Sequence, residues 1–116
     1  MKVLIVGRLE GHITEASKIA LARGAKVSHV NSISEAMNAL RLGQGAEVAM
    51  VDVNLDVGDM VKRLSTERIN LPIVACGIGN EADAAVDAIK GGAKEYVPLP
   101  PDPELIAAVL EAVSQQ

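Results

Sequence analysis

The chain has 116 residues and a formal charge of −4. That length makes one domain, residues 1–116, able to bury roughly two-thirds of the surface its unfolded form exposes. Hydrophobic residues make up 49%, yet there is one Tyr and neither Phe nor Trp, so the core has to be built from Val, Ile, Leu, Ala and Met. The acidic balance, without a Lys/Arg run or aromatics to stack bases, speaks against a nucleic-acid surface. Cys76 is the single cysteine, so neither a disulfide framework nor a zinc spacing exists, which fits a reducing, cytoplasmic setting. The apolar N-terminal run is too short for a signal peptide, and no segment is long enough to span a bilayer.

In chain order, Lys2–Val6 is the first expected strand, an apolar run that stops at Gly7 and Arg8. A helical pattern follows and closes at Gly24, a C-terminal cap. Ala25–Val30 is the second strand. Ser32 with Glu35 makes a capping box, so the second helix starts at Ser32, with its stripe on Ile33, Ala36, Met37 and Leu40. Glu47–Val53 is the third strand, and Val57, Met60, Val61 and Leu64 stripe the helix after it. Pro72–Cys76 is the fourth, followed by a stripe on Ala82, Ala85, Val86 and Ile89 and a cap at Gly91–Gly92. The fifth strand, Glu95–Val97, is expected to be short because Pro98 has no N–H for a ladder. Asp102 then caps a last helix with Pro103 in its first position.

Strict strand–helix alternation without linkers or repeats predicts an α/β fold. Right-handed crossovers make it a doubly wound, five-stranded parallel sheet in the order 2-1-3-4-5, flavodoxin-like, with the first and fifth helices on one face. Ligands of such sheets bind at the carboxyl ends of strands 1 and 3, where Gly7, Arg8 and Asp52 meet.

Several chemistries are excluded by spacing. The first turn reads G-R-L-E-G, which is not the G-x-G-x-x-G of dinucleotide sites, and no P-loop is present. His12 and His29 stand alone and read as surface or satisfied histidines rather than metal ligands. The Gly77–Asn80 stretch could offer N–H groups to an anion, but a tight turn capped by Asn80 explains it as well. Cys76 reads as a buried small hydrophobe. Asp52, behind Ala-Met-Val at the mouth of a parallel sheet, stands where a phosphate-accepting carboxylate would.

Two stretches, EVAMVDVNLDVGD and AVDAIKGGAKEYVPLPPDPEL, carry a resemblance to the receiver domains of bacterial response regulators that extends over essentially the whole chain. Among these the sequence looks most like receivers of σ54-dependent activators, flagellar regulators of the FlbD type. A receiver of that family holds Mg²⁺ with two acidic residues after the first strand and the acceptor Asp, all oxygen donors. A Ser/Thr after the fourth strand and a Lys after the fifth bind the phosphoryl oxygens. By resemblance the acceptor position is Asp52 and the switch aromatic is Tyr96. The acidic pair falls on Gly7 and Arg8. The Ser/Thr position falls on Gly77, or on Cys76 if the loop shifts by one, and the Lys position falls on Leu99. Pro100 matches the family's proline, which implies a cis Leu99–Pro100 bond.

The resemblance therefore implies a pseudo-receiver: a signal-receiving regulatory domain of a σ54-dependent, flagellar transcription activator. Protein–protein interaction would control it, with no enzyme activity, no cofactor and no specific Mg²⁺. Asp52 would be a structural carboxylate held by Arg8 or by turn N–H groups, with Arg8 expected to swing toward it in the resting domain and stand in for the missing cation. Two alternatives stand beside this. One is a phosphorylatable receiver using Asp52; the other is a small-molecule-binding doubly wound domain using the Gly77–Asn80 loop. The expected partner face is the fourth helix, fifth strand and fifth helix, with Tyr96, Leu105, Ile106, Val109, Leu110 and Val113. It would serve a regulatory protein, the ATPase domain of the same regulator, or a second copy through the last helix; burial of that helix's apolar residues in the domain's own core is the alternative. Tyr96 could equally be an ordinary half-buried edge-strand residue.

Overall fold

Continuous aliphatic runs become strands covered on both faces, and they set the architecture. The computed structural model describes residues 1–8, 12–78, 82–99 and 102–114. Among these the elements alternate: β1 (Lys2–Val6), α1 (His12–Ala22), β2 (Lys26–Val30), α2 (Ile33–Arg41), β3 (Val48–Asp52), α3 (Val57–Thr66), β4 (Ile73–Ile78), α4 (Ala82–Lys90), β5 (Glu95–Leu99) and α5 (Pro103–Ser114). The strands form one sheet in the order β2-β1-β3-β4-β5, and every pairing is parallel. This is the expected topology.

Side-chain alternation divides the core in two. Leu4, Val6, Ala49, Val51, Ile73 and Ala75 face α2, α3 and α4, where they meet Met37, Met60 and Ala88. Val3, Ile5, Val48, Met50, Val74 and Val97 face the other way, against Ala16 and Ala20 of α1 and Ile106 and Leu110 of α5. The first and fifth helices thus share one face. With no Phe or Trp to fill space, each buried Val, Leu, Ile or Met contributes about 1.5–3 kcal/mol.

The helix signals hold at both ends. Ser32 caps α2 by accepting from the Glu35 N–H at 3.1 Å, and Asp102 caps α5 through the Glu104 N–H at 2.9 Å. Gly24 and Gly92 take the left-handed turns that end α1 and α4. Three signals went unread: Asp56 caps α3 through the Asp59 N–H, Gly43 closes α2 with φ +86°, and Arg68 closes α3 with φ +57°. Arg68 holds a place that usually falls to glycine or asparagine.

β2, β3 and β4 each begin one residue later than expected, β3 ends one residue earlier at Asp52, and two strands run longer. β4 runs on to Ile78 and β5 passes through Pro98 to Leu99, with Gly77 opposite Pro98 and Ile78 opposite Leu99. β5 is an edge strand, and an edge tolerates a residue that cannot donate. Pro100, and with it the cis bond, lies outside the described residues, as do Gly79 and Asn80 and the side chain of His12.

Candidate functional site at the carboxyl ends of the strands

Asp52 ends β3, beside Cys76 of β4, and is half-buried. Its Oδ1 accepts from the Asn54 N–H at 2.9 Å, and its carbonyl accepts from the Leu55 N–H at 2.9 Å. The carboxylate is therefore anchored by its own turn, as short acidic side chains commonly are. Arg8 is exposed, and no ion pair joins it to Asp52. Of the two supports expected for Asp52, the N–H group is the one formed. The local bond fixes one short side chain, whereas drawing Arg8 down would cost the rotamer freedom of a long one.

Gly7 backs Asp52 from the β1 side. It has φ +133°, and a Cβ built on it would lie 2.7 Å from the Asp52 Cβ. Its N–H donates to the Val30 carbonyl at 2.9 Å, and its carbonyl accepts from His29 Nε2. A carbonyl can only accept, so Nε2 carries the proton there. His29 is thus a satisfied histidine, and it holds the turn behind Asp52.

On the β4–β5 side the surroundings are apolar. Tyr96 lies opposite Ala75 and is half-buried against the α2–α3–α4 side of the core, with Val53 close by. A Cβ at Gly77 would collide with the Tyr96 hydroxyl and stand 2.6 Å from Val53 Cγ1. Leu99, at the position where the family's lysine would fall, is 5% exposed and sits in the core with Val97, Ile106 and Leu110. Cys76 is buried too. Loss of solvent, and secondarily the charge of Asp52, pushes its thiol up to about 12.

The described residues do not fit a Mg²⁺ ion. No group of three or more His, Cys, Asp or Glu comes within metal-holding reach among them, and one Asp52 oxygen already serves Asn54. An acid at position 7 would have to adopt a dihedral rarely open to a side chain.

The expected partner face divides. Ile106, Leu110 and Val113 are buried in the domain's own core, which corrects their assignment to a docking surface. They form the inward stripe that closes over the sheet beside α1. Leu105 is 37% exposed, and Val109 is half-buried. On α4, expected on the partner face, Val86 and Ile89 of the predicted stripe are 47% and 46% exposed, while Ala88 is buried. The small Ala88 lets α4 lie close to the sheet, which turns the larger side chains outward.

Solved structures with this fold include the receiver domain of NtrX from Brucella abortus, at a TM-score of 0.83 and 19% identity, covering 98% of both chains. A two-component response regulator from Clostridium difficile superposes at a TM-score of 0.80 and 17% identity, over 100% of this chain and 97% of the other. The chain has the fold of response-regulator receiver domains. No family model matches it. In sequence it is a relative of the transcriptional regulatory protein FlbD of Caulobacter vibrioides, 52% identical over 114 residues. That match takes in 98% of this chain and 25% of FlbD, so the chain spans about a quarter of its relative's length.

Proposed function

We propose that this domain receives signals for a cytoplasmic, σ54-dependent flagellar transcription activator, and that a bound protein sets its state rather than phosphorylation of Asp52. In this reading it has no catalytic activity of its own and holds no Mg²⁺ specifically. One observation carries the proposal: the acceptor carboxylate is kept while its surroundings are closed. Gly7 packs on its Cβ, Tyr96 fills the space over Gly77, and Leu99 lies in the core. A phosphoryl group adds about −1.5 to −2 charges. Arg8, out in solvent, could offset one of them.

The surface that would serve a partner flanks the edge strand β5. Val86 and Ile89 on α4 and Leu105 on α5 are exposed apolar side chains on the helices either side of it. Exposed Asp83, Asp87, Glu95, Asp102 and Glu104 surround them, against Lys90 and Lys94. Apolar centres with a charged rim suit a protein with an apolar anchor and a basic border.

The test uses the full-length regulator that carries this domain, with activated transcription as the readout. Asp52→Ala is expected to leave activation intact, whereas Val86→Glu with Leu105→Glu abolishes it. Loss of activation in Asp52→Ala, with the double glutamate variant unaffected, contradicts the proposal.

A further inference from the structure

The two edges of the sheet carry opposite charge. Around β5, exposed Asp83, Asp87, Glu95, Asp102 and Glu104 stand against Lys90 and Lys94. Around β2, on α1, β2 and the turn between them, exposed Lys18, Arg23 and Lys26 stand against Glu15. Arg23 lines a groove with Glu111 of α5, so Lys18 and Lys26 carry the excess. Each edge also shows apolar side chains. Val86, Ile89 and Leu105 stand at the acidic edge, and Leu21 is 53% exposed at the basic one. Lys18 and Leu21 are three residues apart on α1, which places both on one side of the helix. Leu42 is more exposed, at 79%, but the cation beside it, Arg41, is already held by Glu67 through two contacts of 2.7 Å.

We propose that the α4–β5–α5 face of one copy of this chain binds the α1–β2 edge of a second copy, head to tail. Resting on the partner face proposed above, this pairing supplies what that face needs: Leu21 as the apolar anchor, with Lys18 and Lys26 as its basic border. β2 and β5 are the two edges of one five-stranded sheet, so a single copy cannot bring its own two surfaces together. Twofold pairing of the acidic face with itself does not satisfy the charges, because a set of five carboxylates and two lysines would meet the same set again. Contact between two different surfaces is a heterologous interface, which closes into a ring or extends as a row. One leucine against three apolar side chains buries little area. The contact therefore belongs to the weak, transient class, in which charge sets orientation and encounter.

Sedimentation velocity of the 116-residue chain tests the pairing. In about 0.1 M salt the sedimentation coefficient is expected to rise as concentration goes from micromolar to millimolar. In about 1 M salt, where the Debye length falls from about 10 Å to about 3 Å, it stays at the monomer value. Lys18→Glu/Lys26→Glu and Asp87→Lys/Glu95→Lys are each expected to remain monomeric in the lower salt, with helical circular dichroism unchanged. A chain carrying all four exchanges associates again, because the charges of the two surfaces are swapped rather than lost. An unmodified chain that stays monomeric throughout overturns the pairing. So does association that survives Lys18→Glu/Lys26→Glu, which marks a twofold or other contact, or a four-site variant that stays monomeric. Transcription by the full-length regulator separates this failure from that of the partner face. A monomeric chain, with activation still abolished by Val86→Glu and Leu105→Glu, means that the face serves a different protein. Association with normal activation in that variant keeps the pairing and removes its part in control.

Discussion

The two flanks of Asp52 are closed by different physics. On the β1 flank a glycine is needed for its dihedral: Gly7 has φ +133°, with its amide bonded to Val30 and its carbonyl to His29. On the β4–β5 flank a glycine is needed for its volume: Gly77 makes room for a phenol, and beyond it Leu99 has joined the core. One residue type thus meets two requirements around the same carboxylate. The difference shows in what can rescue a substitution. Strain in a dihedral persists whatever the neighbours become, whereas a lack of space is relieved by shrinking the neighbour.

The largest effect is expected at Leu99. Leu99→Lys puts an ammonium among Val97, Ile106 and Leu110, and an uncompensated buried charge costs about 3–5 kcal/mol. Urea unfolding measures it; a loss near zero means that the β4–β5 flank is open enough to hydrate a lysine.

Gly7→Ala comes next, at about 1–3 kcal/mol for the positive φ, plus the 2.7 Å approach to Asp52 Cβ. Adding Asp52→Gly removes the approach and leaves the strain, so rescue is partial. Rescue of Gly77→Ala by Tyr96→Ala is expected to be the more complete. Equal rescue on both flanks erases the distinction between them.

Cys76 gives the comparison a pH dependence. Its folded thiol is pushed from an ordinary 9.0 up to about 12, chiefly by burial. A raised pKa of this kind contributes stability in full below the unfolded value. That contribution is lost as pH rises from 9.0 toward about 12, because only the unfolded thiol ionises there. The urea midpoint should therefore fall less steeply over this window in Cys76→Ala than in the unmodified protein. Parallel slopes place Cys76 in contact with solvent.

The smallest effect lies far from the site. Arg68→Gly relieves the left-handed turn that ends α3, and its gain should stay within about 1–2 kcal/mol. A lower melting temperature contradicts it. It also serves as the reference for a dihedral requirement away from any carboxylate.

Much of this architecture is visible in the amino-acid pattern, and the exceptions have physical causes. Val3–Val6 and Val48–Val51 read as two-sided strands because nothing polar interrupts them, and Ser32 and Asp102 announce their helices by local hydrogen bonds. Periodicity identifies the stripe of Val86 and Ile89, while the small Ala88 decides which side of α4 can approach the sheet. β5 was read too short because the cost of Pro98 depends on whether a neighbouring strand exists. At the site, Asp52, Gly7, Gly77 and Leu99 could be located by resemblance. Which of them touch could not, since the meeting of Tyr96 with Gly77 depends on inter-strand register and the choice of Asn54 over Arg8 on side-chain entropy.

The central claim is that Asp52 is retained as a structural carboxylate rather than as an acceptor. Its most direct test is intact-mass analysis of the unmodified protein after incubation with acetyl phosphate and Mg²⁺, with Asp52→Asn alongside. The expected result is no phosphoryl adduct on either protein. A stoichiometric adduct on the unmodified protein that is absent from Asp52→Asn contradicts the claim.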